Sequence, residues 1–395
     1  MAIAKKIDGY IAQSSWIRRM FEAGIELKKQ YGEQNVFDFS IGNPNIAAPA
    51  EVKHKLREII ELDIPNKHGY MQNAGYTETR EMLAKQLCGV YGADIATNNV
   101  VMTCGAGGAL NVILKTLLDP GDEVIIIAPF FVEYKFYIDN FSAIARVADS
   151  NEDFSLNLEN VARAISPRTK ALLINSPNNP TGKVYNEESI IKLAELLKIK
   201  SKEIGHTIYL ISDEPYREII YDNIKLPSVL ASYEETIIAY SYSKSLSLPG
   251  ERIGYILVNP KSSNRQKVED GLIFCNRILG FVNAPALMQR LIAAIGPAKV
   301  NVKEYQRKRN LICDVLDRAG YNFIKPEGAF YVFPKSPIPD DVAFANILQE
   351  NRILGVPGSG FGVAGYFRLA YCVDDATIIN AEKSFRAALN QNYLG

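Results

Sequence analysis

Between residues 100 and 258, short runs of almost purely apolar residues alternate with amphipathic stretches of helical period. Nothing else in the chain restricts the fold as much. Residues 100–104, 124–128 and 171–175 lack polar alternation, so each predicted strand has to be covered on both faces. Further strands are expected near 143–147 and over 207–212, 236–241 and 253–258. Between them, the helix opened by residues 105–108 sets Leu110, Ile113, Leu114 and Leu117 on one face. Other helices are expected around 158–165 and from Glu187 to about Ile199, with a Pro-Gly turn at 119–122. Strand–helix alternation of this kind gives an α/β fold, a mostly parallel sheet flanked by helices. In such sheets ligands bind in the loops beyond the carboxyl ends of the strands.

The flanks read differently. After about Pro297 a helix runs through Tyr305, Leu311, Val315 and Leu316, followed by predicted strands over 321–324 and 330–333. A helix over 341–350 and a strand over 367–370 come next. Near the amino end, Ile17, Met20, Phe21 and Leu27 recur at helical spacing, with Trp16 as a helix anchor. The expectation is a large domain over residues 46–290 and a smaller α+β domain made of 1–45 and 291–395.

Composition removes several classes of function. Lys plus Arg is 44 and Asp plus Glu is 44, a formal net charge of zero, which argues against an electrostatically driven nucleic-acid binder. The longest apolar stretch, 124–132, is too short to span a bilayer and contains Pro129. Residues 1–8 have lysines with no apolar core behind them, so no secretory signal is expected. The cysteines (Cys88, Cys104, Cys275, Cys313 and Cys372) never pair as CxxC and fit reduced thiols in a cytoplasmic protein. His54, His68 and His206 lack metal-ligand spacing, so no metal is expected.

Four segments follow predicted strands. Gly105, Ala106, Gly107 and Gly108 open a helix, where backbone N–H groups favour a phosphate. Leu110 stands where a dinucleotide fingerprint needs glycine, and no Gly-Lys-Ser/Thr completes a Walker loop. On its own this stretch is equally a tight turn without a ligand. The Ser-Pro-Asn-Asn-Pro-Thr-Gly run at 176–182 reads on its own as a plain turn. Asp213 and Tyr216, in Asp-Glu-Pro-Tyr, place a carboxylate at a strand end, where helix caps are common. Ser241, Ser243 and Lys244 lie at another strand end with Arg252 beyond, and each cation alone fits a solvated surface.

As an ordered set on consecutive strand ends, these segments resemble the class I aminotransferases of pyridoxal-phosphate fold type I, roughly from Phe39 to Ala370. The resemblance implies that Lys244 forms the internal aldimine with pyridoxal phosphate and carries the proton. It implies phosphate ligands at Ser241, Ser243, Arg252 and the backbone of Gly105, Ala106 and Gly107. Asp213 then pairs with the pyridinium nitrogen through a charge-assisted hydrogen bond. Tyr216 and Asn179 become donors to the cofactor's phenolic oxygen. Phe131 stacks on the ring, a mild departure where tyrosine or tryptophan is common. Tyr70 reaches a neighbouring subunit's phosphate, which implies a homodimer with shared sites. Arg368 grips the substrate α-carboxylate through a fork that lysine cannot reproduce. Gly42 lies in a loop passing beside the substrate.

The implied activity moves an amino group between an L-amino acid and a 2-oxo acid. A carbon–sulfur β-lyase on the same fold is the first alternative; Arg368 and the Asn-Pro-Thr-Gly run lean toward transamination. A ligand-sensing aminotransferase-like regulator domain is the second, but no room is seen for a DNA-binding helix-turn-helix ahead of the first helix. Family members specialised for dicarboxylates draw a second arginine from the partner subunit. Counting forward from Lys244, the matching position falls on Ile278 and Leu279, with Arg277 adjacent; an inward Arg277 would favour dicarboxylates, an apolar lining neutral or aromatic side chains. The expectation is a broad enzyme without a dedicated fixed arginine, using glutamate through rearranging polar contacts.

Overall fold

The computed structural model describes residues 2–12 and 16–391. Its strands are β1 (Phe37–Asp38), β2 (Val100–Thr103), β3 (Glu123–Ala128), β4 (Ile144–Asp149), β5 (Thr169–Asn175) and β6 (Tyr209–Asp213). They continue with β7 (Thr236–Ser241), β8 (Gly254–Val258), β9 (Tyr331–Val332), β10 (Ile353–Leu354), β11 (Val356–Pro357) and β12 (Phe367–Ala370). Seven form one sheet in the order β2-β8-β7-β6-β5-β3-β4.

The apolar runs are continuous because alternate residues serve opposite layers. Val124, Ile126, Ala171, Leu173 and Ile211 pack on the helix Gly105–Leu117 through Leu110, Ile113 and Leu114. Their neighbours Ile125, Ile127, Leu172, Ile174 and Leu210 pack on the helix Glu187–Ile204 through Ile190, Leu193 and Leu197. Each fully buried aliphatic side chain contributes about 1.5–3 kcal/mol, so neither face tolerates polar residues. β4 closes one edge and is the exception: Ile144 and Val147 are exposed, and Arg146 pairs with the buried Glu123.

One strand departs from parallel. β8 runs antiparallel to both neighbours, β7 and β2, while β7, β6, β5, β3 and β4 are mutually parallel. The link from β7 to β8 folds back over the strand end instead of crossing the sheet, and it carries Lys244 and Arg252.

A second, three-stranded sheet, β11-β12-β9, is antiparallel. The expected strand over 321–324 is absent. Among the described residues its backbone bonds are Lys335 N–H to Asn322 O and Tyr321 N–H to Leu316 O, the second closing the preceding helix. The segment is fixed by Tyr321, which packs on Phe344, Phe367 and Phe385, and no strand lies alongside to form a ladder. The strand expected over 330–333 shortens to β9. The amino-terminal helix Trp16–Tyr31 buries Met20 and packs Leu27 on a cluster with Phe333, Leu354 and Val356. The side chains of Ile17 and Phe21 lie outside the described residues. Parallel pairing of β1 with β10 ties this segment to the carboxyl-terminal layer.

Among the described residues no helix is long and apolar enough to cross a membrane. No cluster of His, Cys, Asp and Glu there suits a metal, and the five cysteines are unbridged.

Candidate active site

Strand register gathers the chemistry. Asn175 at the end of β5 pairs with Asp213 at the end of β6, and Asp213 pairs with Ala239 on β7. Ser241 ends β7 opposite Gly254, which in turn faces Thr103 at the end of β2. Four sequence-distant segments therefore meet at the carboxyl ends of the strands, around a cavity of about 370 Å³. Of the residues singled out above, Gly42, Ala106, Gly107, Phe131, Asn179, Asp213, Tyr216, Ser241, Ser243, Lys244, Arg252 and Arg368 line it.

At one end lies a cradle for an anion. The helix Gly105–Leu117 starts there, pointing the N–H groups of its first turn outward. Gly105 has φ +69, a backbone conformation that favours glycine, and a Cβ on it would fall 2.8 Å from an Arg252 guanidinium nitrogen and push that side chain aside. Arg252 is held by the carbonyls of Pro249 and Cys104. Ser241 and Ser243 share a hydroxyl–hydroxyl bond of 2.8 Å, and Ser241 also accepts from Ser243 N–H.

The Lys244 ammonium donates to Gly42 O at 2.7 Å and sits 5.3 Å from the Phe330 ring centroid. Burial lowers its pKa to about 8, and the charges of Arg368 and Arg252 push the same way. A tenth or so of the amine is then neutral at pH 7, against a negligible fraction for an ordinary lysine. Gly42 has to be glycine here: a Cβ would sit 2.0 Å from the Tyr331 hydroxyl.

Asp213 is buried. One oxygen accepts from the Tyr134 hydroxyl, while Oδ1 has no partner among the described residues. Burial raises its pKa to about 7, against the lowering effect of the Tyr134 bond, with Glu214 raising it further. Asn175 braces the pair of loops: it donates to Asp213 O and accepts from Asn179 N–H. Tyr216 bonds the Tyr331 hydroxyl at 2.7 Å. Arg368 is 2% exposed; it donates to Asn179 Oδ1 and Ser40 O, yet its Nε has no partner among the described residues.

Two expected residues stand apart. Gly105 flanks the cavity behind Arg252 rather than lining it. Tyr70 is 92% exposed and does not reach this chain's cavity. Arg277 also lies outside it, over the exposed ring of Phe274. Sequence reasoning missed Glu133, Tyr134, Tyr137, Asn175 and Tyr331, all in the cavity wall. Tyr134 and Tyr137 were within reach of it: residues three apart on a helix share a face, and both follow Phe131 closely.

Comparison with known proteins gives a consistent result. The family model for aminotransferase class I and II matches residues 34–385. A protein described as a probable aspartate aminotransferase of Methanocaldococcus jannaschii is 34% identical over 342 residues, 85% of this chain and 88% of that protein. The aspartate/prephenate aminotransferase of Thermus thermophilus is 31% identical over 374 residues, 93% of this chain and 94% of its own length. Among solved structures, an aminotransferase from Eubacterium rectale superposes with a TM-score of 0.96 at 39% identity, covering 99% of both chains. The aspartate aminotransferase of Thermus thermophilus with maleate gives 0.85 at 27% identity, over 98% of this chain and 100% of that one. A lysine, a carboxylate and an arginine converging at the carboxyl ends of the strands, in a chain matched along most of its length, place this protein among the class I and II aminotransferases.

Proposed function

We propose that this chain is a pyridoxal-phosphate-dependent aminotransferase moving an amino group between an L-amino acid and a 2-oxo acid, with Lys244 as the covalent anchor and proton carrier. The observation that carries the reading is a pair of buried groups in the Lys244 cavity without a partner among the described residues: Asp213 Oδ1, an acceptor, and Arg368 Nε, a donor. Buried polar atoms are normally paired by protein, water or ligand, and these two face a cavity open to a ligand. A protonated pyridine nitrogen fits the first and a substrate carboxylate the second.

The remaining wall fits the same cofactor. Arg252, the Ser241 and Ser243 hydroxyls and the N–H groups of Ala106 and Gly107 would hold its phosphate. Asn179 and Tyr216 would donate to its phenolic oxygen, and Phe131 would cover one ring face. When bound, the cofactor supplies an electron-withdrawing ring that stabilises the carbanion left as the α-proton departs. Asp213, ionised, keeps that ring protonated. Arg368 fixes the α-carboxylate and so orients the Cα–H bond. Lys244 Nζ, with its lowered pKa, accepts the α-proton and returns it on the far side of the reaction.

The reading extends to assembly. Tyr70, turned to solvent and away from this chain's cavity, suits a role in a partner's site, hence a homodimer. Unbridged cysteines support a cytoplasmic location. The domain division proposed is 46–290 against 1–45 with 291–395. Its second boundary falls within the helix Ala286–Ile295, whose Leu291, Ile292 and Ile295 pack with Val52 and Leu83 on the large-sheet side. That packing favours moving the boundary past Ile295.

The test is a half-reaction screen. Amino acids are added singly to cofactor-loaded protein while visible absorption and products are followed. Loss of the absorption with one equivalent of 2-oxo acid and no free ammonia is expected. Release of ammonia and pyruvate from cysteine-type substrates would establish the β-lyase instead.

A further inference from the structure

A third buried atom in the cavity has no partner, and neither the cofactor nor the substrate carboxylate accounts for it. Glu133 opens the helix Glu133–Asp139, the element that also presents Tyr134 to Asp213. Its carboxylate faces the cavity; Oε2 is buried and unbonded among the described residues. Its neighbours in the wall do not satisfy it. Tyr134 is committed to Asp213; Tyr137 feels the Glu133 charge but makes no hydrogen bond to Oε2 among the described residues; and the three cations have other tasks: Lys244 and Arg252 at the cofactor, Arg368 on Asn179, Ser40 and the α-carboxylate. Burial raises the Glu133 pKa, its own backbone N–H lowers it, and Arg368 acts only as a charge at a distance.

Resting on the aminotransferase reading above, we propose that Glu133 is a specificity-determining residue that selects substrates with a cationic, hydrogen-bond-donating group at the far end of the side chain. The unpaired atoms divide by sign. Arg368 Nε is a donor awaiting a carboxylate, and Asp213 Oδ1 an acceptor awaiting the ring nitrogen. Glu133 Oε2 is an acceptor awaiting a donor, and the amino acid side chain is the one ligand group still unassigned. An ammonium or guanidinium there would complete a charge-assisted bond inside a cavity whose wall also carries the apolar Leu110 and Phe131. A distal carboxylate would meet a like charge in a partly desolvated site, which is strongly unfavourable. The two arginines of the wall are assigned to the cofactor phosphate (Arg252) and the α-carboxylate (Arg368), and Arg277 lies outside it.

The experiment uses carboxylic acids that cannot react, so that recognition is separated from turnover. Cofactor-loaded protein is titrated calorimetrically with pentanoate, glutarate and 4-guanidinobutyrate. The guanidino acid should bind at least about tenfold tighter than pentanoate, the increment typical of one hydrogen bond between charged groups, and glutarate weakest. In Glu133→Gln, shown to be loaded by its visible absorption, the guanidino advantage should shrink by about tenfold and the glutarate penalty should fall. If all three acids bind but the guanidino acid gains nothing over pentanoate, or keeps its advantage in Glu133→Gln, the inference is overturned and the aminotransferase reading stands. If none of the acids binds at the Lys244 cavity, both fall.

Discussion

Removing one hydroxyl, in Tyr134→Phe, should change how the protein holds its cofactor in a manner that depends on pH. The Tyr134 hydroxyl donates to Asp213 at 2.5 Å, inside the core. A hydrogen bond to a charged group is worth about 1.5–3 kcal/mol, and 1.36 kcal/mol corresponds to one pKa unit. Asp213 starts at about 7, so its midpoint in Tyr134→Phe should rise to about 8–9. Only ionised Asp213 attracts the protonated ring. Well below pH 7 the carboxyl is neutral in most molecules of both proteins, and the variant should bind pyridoxal phosphate about tenfold or more weakly. Above the variant's own midpoint both carboxyls are charged, and the affinities should converge. Taking the ratio of the two proteins at each pH cancels the titration of the cofactor itself. The assay is the affinity of cofactor-free protein, followed by fluorescence quenching from pH 5.5 to 9.5. A ratio that does not vary with pH would refute the electrostatic argument and leave Tyr134 a packing residue. The same group sets a stability trend. Its pKa is raised on folding, so its contribution is fully present below the unfolded value near 4. That contribution, about 4 kcal/mol, is lost as pH rises to 7, and Tyr134→Phe should extend the loss upward.

Other outcomes follow from the same geometry. Arg368→Lys keeps the charge but not the fork, so kcat/KM should fall by roughly ten- to a hundredfold for every amino acid alike; a loss confined to particular side chains would mean that Arg368 does not hold the α-carboxylate. Mixing Tyr70→Phe protein with Lys244→Ala protein under conditions that exchange subunits should give hybrids with one site intact in both respects, and activity above that of either parent. Hybrids no more active than the Tyr70→Phe parent, or a wild-type enzyme active as a monomer, would remove Tyr70 from the partner's site.

The large sheet could be read in the sequence because its strands face helices on both sides, and 236–241 and its neighbours therefore contain little but apolar residues. The same property hid direction: β8 is as apolar as β5, and only its return over the strand end makes it antiparallel. Residues 321–324 carry a strand-like pattern because Tyr321 is buried, but packing of one ring does not make a ladder. The site was legible where chemistry sits in short motifs at strand ends, as with Asp213, Lys244 and Arg252. It was only partly legible where one helix turns several side chains inward: helical spacing puts Tyr134 and Tyr137 on one face but does not say what that face meets. The spacing of Glu133, Tyr134 and Tyr137 looks like that of any amphipathic helix, and only the register of β5, β6 and β7 shows what they face. Gly42 is a further case. The resemblance places it in a loop beside the substrate but does not show that its carbonyl receives the Lys244 amine and its missing side chain makes room for Tyr331.

The central claim is that Lys244, made reactive by burial at the end of β7, is the covalent anchor of the cofactor. Reducing cofactor-loaded protein with borohydride, digesting it and locating the phosphopyridoxyl group by mass spectrometry tests this directly. The group should be found on Lys244, and Lys244→Ala should carry none and should not convert amino acids to 2-oxo acids. A phosphopyridoxyl group fixed on another lysine, or transamination near the wild-type rate in Lys244→Ala, would contradict it.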